Sequence, residues 1–246
     1  MKTALVLSAG GMFCAYQAGA WKALSGRFRP DIVIGASAGA LNAWAIAGGA
    51  DPADLAALWL GAANLAGLRL SRRPWRNLLD AGPLEQRIAA LWTTYRPRAE
   101  IGVVAVELRT LRPRLFRNGE ITPRHLAASC AVLACYPQVR LGGRLYTDGG
   151  LLGALPLWAA AEMGAARVVA VNALPRLPSR AVGAAVRALR ALAPRPPAAP
   201  EPAGVRIIEP ARSLGNLWQA MFWDERAVRR AIEFGEEDAR AAWPSP

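Results

Sequence analysis

The sequence predicts an α/β fold: a three-layer αβα sandwich on a mainly parallel central sheet. Residues 3–8 form a short apolar run that ends in Gly10-Gly11 and precedes a helical pattern over residues 15–24. The same order of strand, sharp turn and helix returns at residues 31–34, 35–39 and onward through Ala47. Strands joined through helices run parallel, and right-handed crossovers cover both faces of their sheet. Size agrees, since 246 residues, 53% of them hydrophobic, suit one domain over residues 1–246. Such a chain buries roughly 70–75% of its unfolded surface without disulfides or a structural metal. A charged fraction of 20% is not a disordered composition, and no apolar run reaches the ~18 residues that span a bilayer.

Each element follows from local signals. The start, MKTALVLSAGG, reads as a buried first strand and not as a secretion signal, because its apolar core at residues 4–7 is short and only Lys2 precedes it. Phe13 before Cys14 is too bulky for a lipoprotein cleavage site. In the first helix, Ala18 and Trp21 lie near one face. Pro52 and Pro83 stand at first helical positions and open helices over residues 52–65 and 83–95, with a basic loop at 69–80 between them. Residues 101–106 are a strand. After an Arg-rich stretch at 110–117 and the turn signal Asn118-Gly119, Thr122-Pro123 opens a short helix through Ala131. Residues 141–146 read as one strand leading into Asp148-Gly149-Gly150. Residues 156–163 are helical and 167–172 are strand. A Pro/Ala-rich loop at 194–202 precedes the last strand at 205–208, and residues 224–243 form a charged surface helix. There is no internal repeat.

Three cysteines, Cys14, Cys130 and Cys135, without paired spacing exclude a disulfide framework and a zinc site. A reducing cytoplasm is the expected compartment. The net charge of +12 raises the question of nucleic acid, and its distribution answers it. Residues 69–124 hold 12 Arg against 5 acids, and residues 176–195 hold 5 Arg and no acid, so these two stretches carry the whole surplus. Neither overlaps the glycine-rich turns, and no nucleic-acid partner is expected.

Gly35-Ala36-Ser37-Ala38-Gly39 fits the G-x-S-x-G nucleophile elbow, in which glycines allow a tight strand-to-helix turn that lifts a serine oxygen above the sheet. The turn also sets that oxygen at a helix N-terminus, where unpaired N–H groups favour developing negative charge. A plain small-residue turn fits the same five residues, but the preceding strand and following helix are what an elbow requires. A serine nucleophile ordinarily uses a histidine base. The one histidine, His125, lies in the first turn of a helix and precedes Asp148, so the order Ser, acid, His is not available, and a structural role is expected. A carboxylate beside the hydroxyl is the simplest other base. Asp148 is best placed for it, after a strand and before Gly149-Gly150, where main chain can approach another turn closely. Gly10-Gly11 after the first strand offers backbone donors for an oxyanion. A dinucleotide fingerprint is absent, because residues 9–14 read Ala-Gly-Gly-Met-Phe-Cys and no acid ends the second strand.

Ser37, Asp148 and the Gly10-Gly11 turn, in this order and each after a strand, resemble the patatin-like phospholipase family. Residues 5–24 are similar to its oxyanion region, residues 35–39 to its nucleophile motif, residues 128–150 to its path into the catalytic Asp-Gly-Gly, and residues 227–241 more loosely to its end. The resemblance implies a Ser-Asp dyad that hydrolyses carboxylic esters of lipids through an acyl-enzyme. Ser37 would be the nucleophile and Asp148 the general base and acid. Backbone N–H groups of Gly10, Gly11 and Met12 would hold the oxyanion, with Gly35, Gly39, Gly149 and Gly150 as motif positions. It implies no metal or organic cofactor. Two alternatives stand beside hydrolysis: acyl transfer to an alcohol, and a catalytically weak lipid-binding or regulatory protein.

The second alternative is motivated by departures from the family pattern. Ala9, Phe13 and Cys14 stand where the family carries a further glycine and a cation, and Gly153 and Ala154 stand where relatives place Asn. Loss of one oxyanion donor lowers turnover by about 10²–10³-fold. The partner expected is a lipid or other acyl ester, with peripheral contact to an anionic membrane. Residues 179–193 place Val182, Ala185, Val186, Leu189 and Leu192 on one helical face and Arg180, Arg187 and Arg190 toward the other. A helix packed on the sheet with a solvated basic edge has the same pattern. Trp75 among Arg72, Arg73 and Arg76 is the other candidate contact. Oligomeric state leaves no signature in the sequence.

Overall fold

The computed structural model describes residues 1–64, 71, 77–176, 180–194, 204–216, 219 and 224–243. In chain order its strands are β1 (Thr3–Leu7), β2 (Ile32–Ala36), β3 (Glu100–Glu107), β4 (Arg112–Arg117), β5 (Val139–Leu141), β6 (Arg144–Thr147), β7 (Arg167–Val171) and β8 (Gly204–Ile208). Its helices are α1 (Ala15–Leu24), α2 (Ala38–Ala47), α3 (Pro52–Asn64), α4 (Gly82–Thr94), α5 (Pro123–Ser129), α6 (Leu157–Glu162), α7 (Arg180–Leu192) and α8 (Glu225–Ala242). The basic loop with Trp75 and most of the Pro/Ala-rich loop lie outside the described residues.

The expected αβα layering is present. Five parallel strands stand in the order β3-β2-β1-β7-β8. Alternate residues of β1 enter different layers, as a period of two requires. Leu5 and Leu7 pack with Phe13, Tyr16, Leu24, Trp44 and Trp59 from the helices on one face. Ala4 and Val6 pack with Ile32, Ile34 and the small residues Ala159 and Ala160 of α6 on the other. A strand covered on both sides is apolar throughout, which is why β1 reads as a continuous run.

The sheet is mixed at one end, where a stretch with no sequence-based assignment proves to be a strand and one expectation is corrected. The Arg-rich stretch is a strand: β4 pairs antiparallel with β3 from Gly102↔Arg117 to Glu107↔Arg112. The edge position explains both Pro113 and the charges, since one side of the strand needs no ladder partner. The single strand expected at 141–146 is the hairpin β5–β6, turned by Gly142 and Gly143 at φ 52° and 78°.

That hairpin positions the site. The pairing of β2 with β3 ends at Ala36↔Val104, whereas β6 runs antiparallel to β3 and pairs Thr147 with Val106. The two strands run toward each other along β3. Their next residues, Ser37 and Asp148, therefore meet at the level of Ala105.

The C-terminal helix has the charged, exposed face that its sequence predicts, and α8 also packs its other face against α1. Val228, Ala231 and Ala239 are buried along one face. A Cβ on Gly19 of α1 would lie 1.7 Å from the Ile232 carbonyl oxygen, and one on Gly235 would lie 2.0 Å from that of Tyr16. Small residues at helical spacing let the two backbones touch, and small residues contribute little to a hydropathy pattern. Gly19→Ala is expected to lower the unfolding free energy by about 3 kcal/mol through overpacking. Gly26→Ala, with nothing within 4 Å of its added carbon, should stay within about 1 kcal/mol of wild type in the same urea titration.

Candidate active site

Ser37 is the N-cap of α2 and has φ 55° and ψ −134°, a conformation that non-glycine residues adopt only when their surroundings impose it. The surroundings are the two motif glycines. A Cβ on Gly35 would lie 2.3 Å from the Gly39 carbonyl oxygen, and one on Gly39 would lie 2.3 Å from that of Ser8. The elbow thus closes on itself and against the end of β1. The Ala40 N–H donates to the Ser37 carbonyl at 2.8 Å and starts the helix.

Asp148 reaches the same point from β6. Its Oδ1 accepts from the Gly150 N–H at 2.8 Å, while Oδ2 is buried without a hydrogen-bond partner. Burial raises the carboxyl pKa to about 6, against the opposing effects of the Ser37 hydroxyl and the Gly150 N–H. The Ser37 hydroxyl thus acts on the carboxylate, while Oδ2 accepts no hydrogen bond. Gly149 holds the loop in place, since a Cβ there would lie 2.1 Å from the Val104 carbonyl oxygen.

The Gly10-Gly11 turn forms the third side. Gly11 takes φ 55°, and residues Gly11–Cys14 make one 3-10 turn that runs into α1. Among the described residues, no protein acceptor takes the N–H groups of Gly10, Gly11 or Met12, nor that of Ala38 at the start of α2. The Asp148 loop packs onto this turn: Ala9 N–H donates to the Ala154 carbonyl at 2.8 Å. At Ala9 and Ala154, two of the departures from the family pattern, the contact is made by backbone and does not depend on the side chain.

Sequence reasoning missed the polar residues that tie the turn to α2. Gln17 Nε2 donates to the Ser8 carbonyl at 2.7 Å. Asn42 Nδ2 donates to Gln17 Oε1 at 2.9 Å and to the Cys14 carbonyl at 3.0 Å, and Asn42 Oδ1 accepts from Trp59 Nε1 at 2.8 Å. Gln17 and Asn42 are buried; a lone amide within each of two alanine-rich helices was the available signal. Arg87 of α4 stacks over the Trp59 ring at 4.5 Å. Burial raises the pKa of the Cys14 and Cys130 thiols, with Asp148 adding to the effect, so both stay protonated.

His125 stands away from this chemistry. Its Nδ1 accepts from the Thr122 N–H at 3.1 Å, so the ring caps its own helix, and it packs edge-on to Phe116. Burial lowers its pKa.

The fold is thus an α/β sheet flanked by helices, with a strained serine turn and a buried carboxyl at its strand ends. The chain belongs to the patatin-like phospholipase family, whose model matches residues 5–161. Among solved structures it is similar to VipD from Legionella pneumophila, with a TM-score of 0.57 and 13% identity over 98% of this chain and 66% of that one. The type III effector protein ExoU aligns with a TM-score of 0.45 and 12% identity, over 98% of this chain and 52% of that one. This chain therefore spans about two thirds of the first and half of the second. No curated protein matches the sequence.

Proposed function

We propose that this chain hydrolyses carboxylic esters of lipids through a Ser-Asp dyad. The observation that carries the reading is the meeting of Ser37 and Asp148 at the ends of two opposed strands, with the carboxyl desolvated. Ser37 Oγ attacks the ester carbonyl while its proton passes to Asp148. The carbonyl oxygen, now negative, is held by the N–H groups of Gly10, Gly11 and Met12 together with the N-terminus of α2. The tetrahedral intermediate collapses, the C–O bond to the alcohol breaks, and Asp148 returns the proton to the departing oxygen. Water then attacks the acyl-Ser37 ester, again giving a proton to Asp148; the acyl–Oγ bond breaks, Asp148 returns the proton to Ser37 Oγ, and the carboxylic acid leaves.

A fluorophosphonate probe, followed by mass spectrometry of the labelled peptide, tests the reading alongside p-nitrophenol release from short and long acyl esters. Labelling at Ser37 with hydrolysis is expected. A folded wild type that neither labels nor hydrolyses would favour the binding-protein alternative, and product formation only with an added alcohol would favour transfer.

The proposal includes peripheral contact with an anionic bilayer through α7. Arg187 and Arg190 are exposed, the helix contains no acid, and Leu192 is 78% exposed. Val205 and Ile207 of β8 add exposed apolar surface. Each arginine at such a surface contributes about 1 kcal/mol. Arg187→Gln with Arg190→Gln is expected to weaken binding to phosphatidylserine-containing vesicles about 30-fold in sedimentation. Equal binding of wild type to neutral and anionic vesicles would remove this part of the reading.

A further inference from the structure

We infer that Ser129 is a positioning residue for the Ser37–Asp148 pair, linking both converging segments to β3. The inference rests on the dyad reading above and adds a residue to it. Ser129 ends α5 and is fully buried. Its Oγ accepts from the Ser37 N–H at 2.9 Å and donates to the Val104 carbonyl at 2.7 Å. Its own carbonyl accepts from the Gly149 N–H at 3.0 Å. One residue thus bonds the elbow, the strand beneath it and the loop that carries Asp148.

The chemistry of the position requires a hydroxyl. Ser37 presents a donor and Val104 an acceptor, so the bridging group must accept from one and donate to the other, which a hydroxyl does with one oxygen. An alkyl group would leave a buried N–H and a buried carbonyl without that partner, and a second carboxylate would stand beside Asp148. Register explains why the bridge falls here. Val104 is the β3 residue paired with Ala36, and its carbonyl is also where Gly149 packs. Nearby, the Ala131 carbonyl accepts from the Asp148 N–H at 3.0 Å and from Thr147 Oγ1 at 2.9 Å, so the segment after α5 holds both ends of the Asp148 approach.

Two consequences follow for catalysis. The Ser37 N–H is occupied by Ser129, so it is not an oxyanion donor, and that work falls to Ala38 and the glycine turn. The strained elbow, with φ 55° at Ser37, also loses one of its anchors when the hydroxyl is removed. A nucleophile displaced by even about 1 Å loses on the order of 10²-fold in rate.

The test compares Ser129→Ala, Ser129→Cys and Ser129→Thr for p-nitrophenyl ester hydrolysis, fluorophosphonate inactivation rate and thermal unfolding. Ser129→Ala is expected to lower kcat and the inactivation rate together by about 10–100-fold, with KM within about twofold. Ser129→Thr, which keeps the hydroxyl, should restore most of the loss. Where the alanine variant does not fold, Ser129→Cys carries the test, since it fills the same space with a thiol that bonds weakly; about tenfold loss in a folded protein is expected. Wild-type kcat in a folded Ser129→Ala or Ser129→Cys protein overturns the inference, as does a loss of rate that merely tracks the folded fraction. Failure of the dyad reading gives a different result: wild type itself would not label at Ser37.

Discussion

Ser37→Ala is expected to lower ester hydrolysis by about 10⁴-fold or more and to end fluorophosphonate labelling. The size of the effect follows from the number of functions one oxygen has in the proposed cycle. It is the attacking atom, the atom that carries the acyl group, and the source of the proton that Asp148 takes. With it gone, the oxyanion donors and the buried carboxylate remain but have no covalent route to serve, and only slow attack by water is left. Stability separates this loss from unfolding. Alanine keeps the strained φ of 55° at position 37 and should unfold close to wild type. Ser37→Gly should be equally inactive yet more stable by about 1 kcal/mol, because glycine adopts that conformation without steric cost. Labelling that persisted in Ser37→Ala would sink the nucleophile assignment; equal activity of both variants with wild type would sink the dyad altogether.

Asp148→Asn is expected to abolish activity and to stabilise the protein. The carboxyl titrates at about 6 in the folded chain against an ordinary 3.8, because burial opposes its charge. Between those values the native state holds a proton that the unfolded state has lost, so folding gains stability as pH falls through 6 and the gain levels off below about 4. Above pH 6 the ionised carboxylate destabilises the fold by about 3 kcal/mol. Asparagine removes that charge and still accepts from the Gly150 N–H. The variant should therefore exceed wild type by up to about 3 kcal/mol at pH 7, with the difference closing toward pH 4 in urea titrations. Activity moves the other way, with at least about 10³-fold lost and the wild-type acid limb, centred near 6, absent from the residue. A variant less stable than wild type at pH 7, by an amount independent of pH, would show that the carboxylate supports the fold and is not held in it at a cost.

The legibility of the protein in its sequence is uneven, and each gap has a physical reason. β1 and β2 are readable because strands covered on both faces are apolar throughout, and the glycines that follow them mark tight strand-to-helix turns. β4 is not, because an edge strand tolerates Pro113 and arginines that look like loop composition. The hairpin β5–β6 reads as a single strand because the turn at Gly142-Gly143 is short and its flanking residues have strand-like composition on both sides. The charged face of α8 is readable but its packing against α1 is not, because the close approach is made at Gly19 and Gly235, whose smallness matters to packing and hardly registers as hydropathy. Gln17, Asn42 and Ser129 escape notice because a buried polar residue is distinguished by its partners, and most of those partners are far away in sequence.

By itself the sequence determined the αβα layering, the candidate residues Ser37 and Asp148, and the exclusion of a Ser-acid-His order by the position of His125. These are local matters of strand periodicity, turn chemistry and residue inventory. Only the tertiary structure decided how Ser37 and Asp148 meet, because their convergence depends on β6 running antiparallel into the register that β2 vacates beyond Val104. The desolvation that raises the Asp148 pKa and the triple contact of Ser129 were decided there too. Burial and hydrogen bonding across 92 residues of chain, as between Ser37 and Ser129, arise from how the elements pack, and no window of sequence contains them.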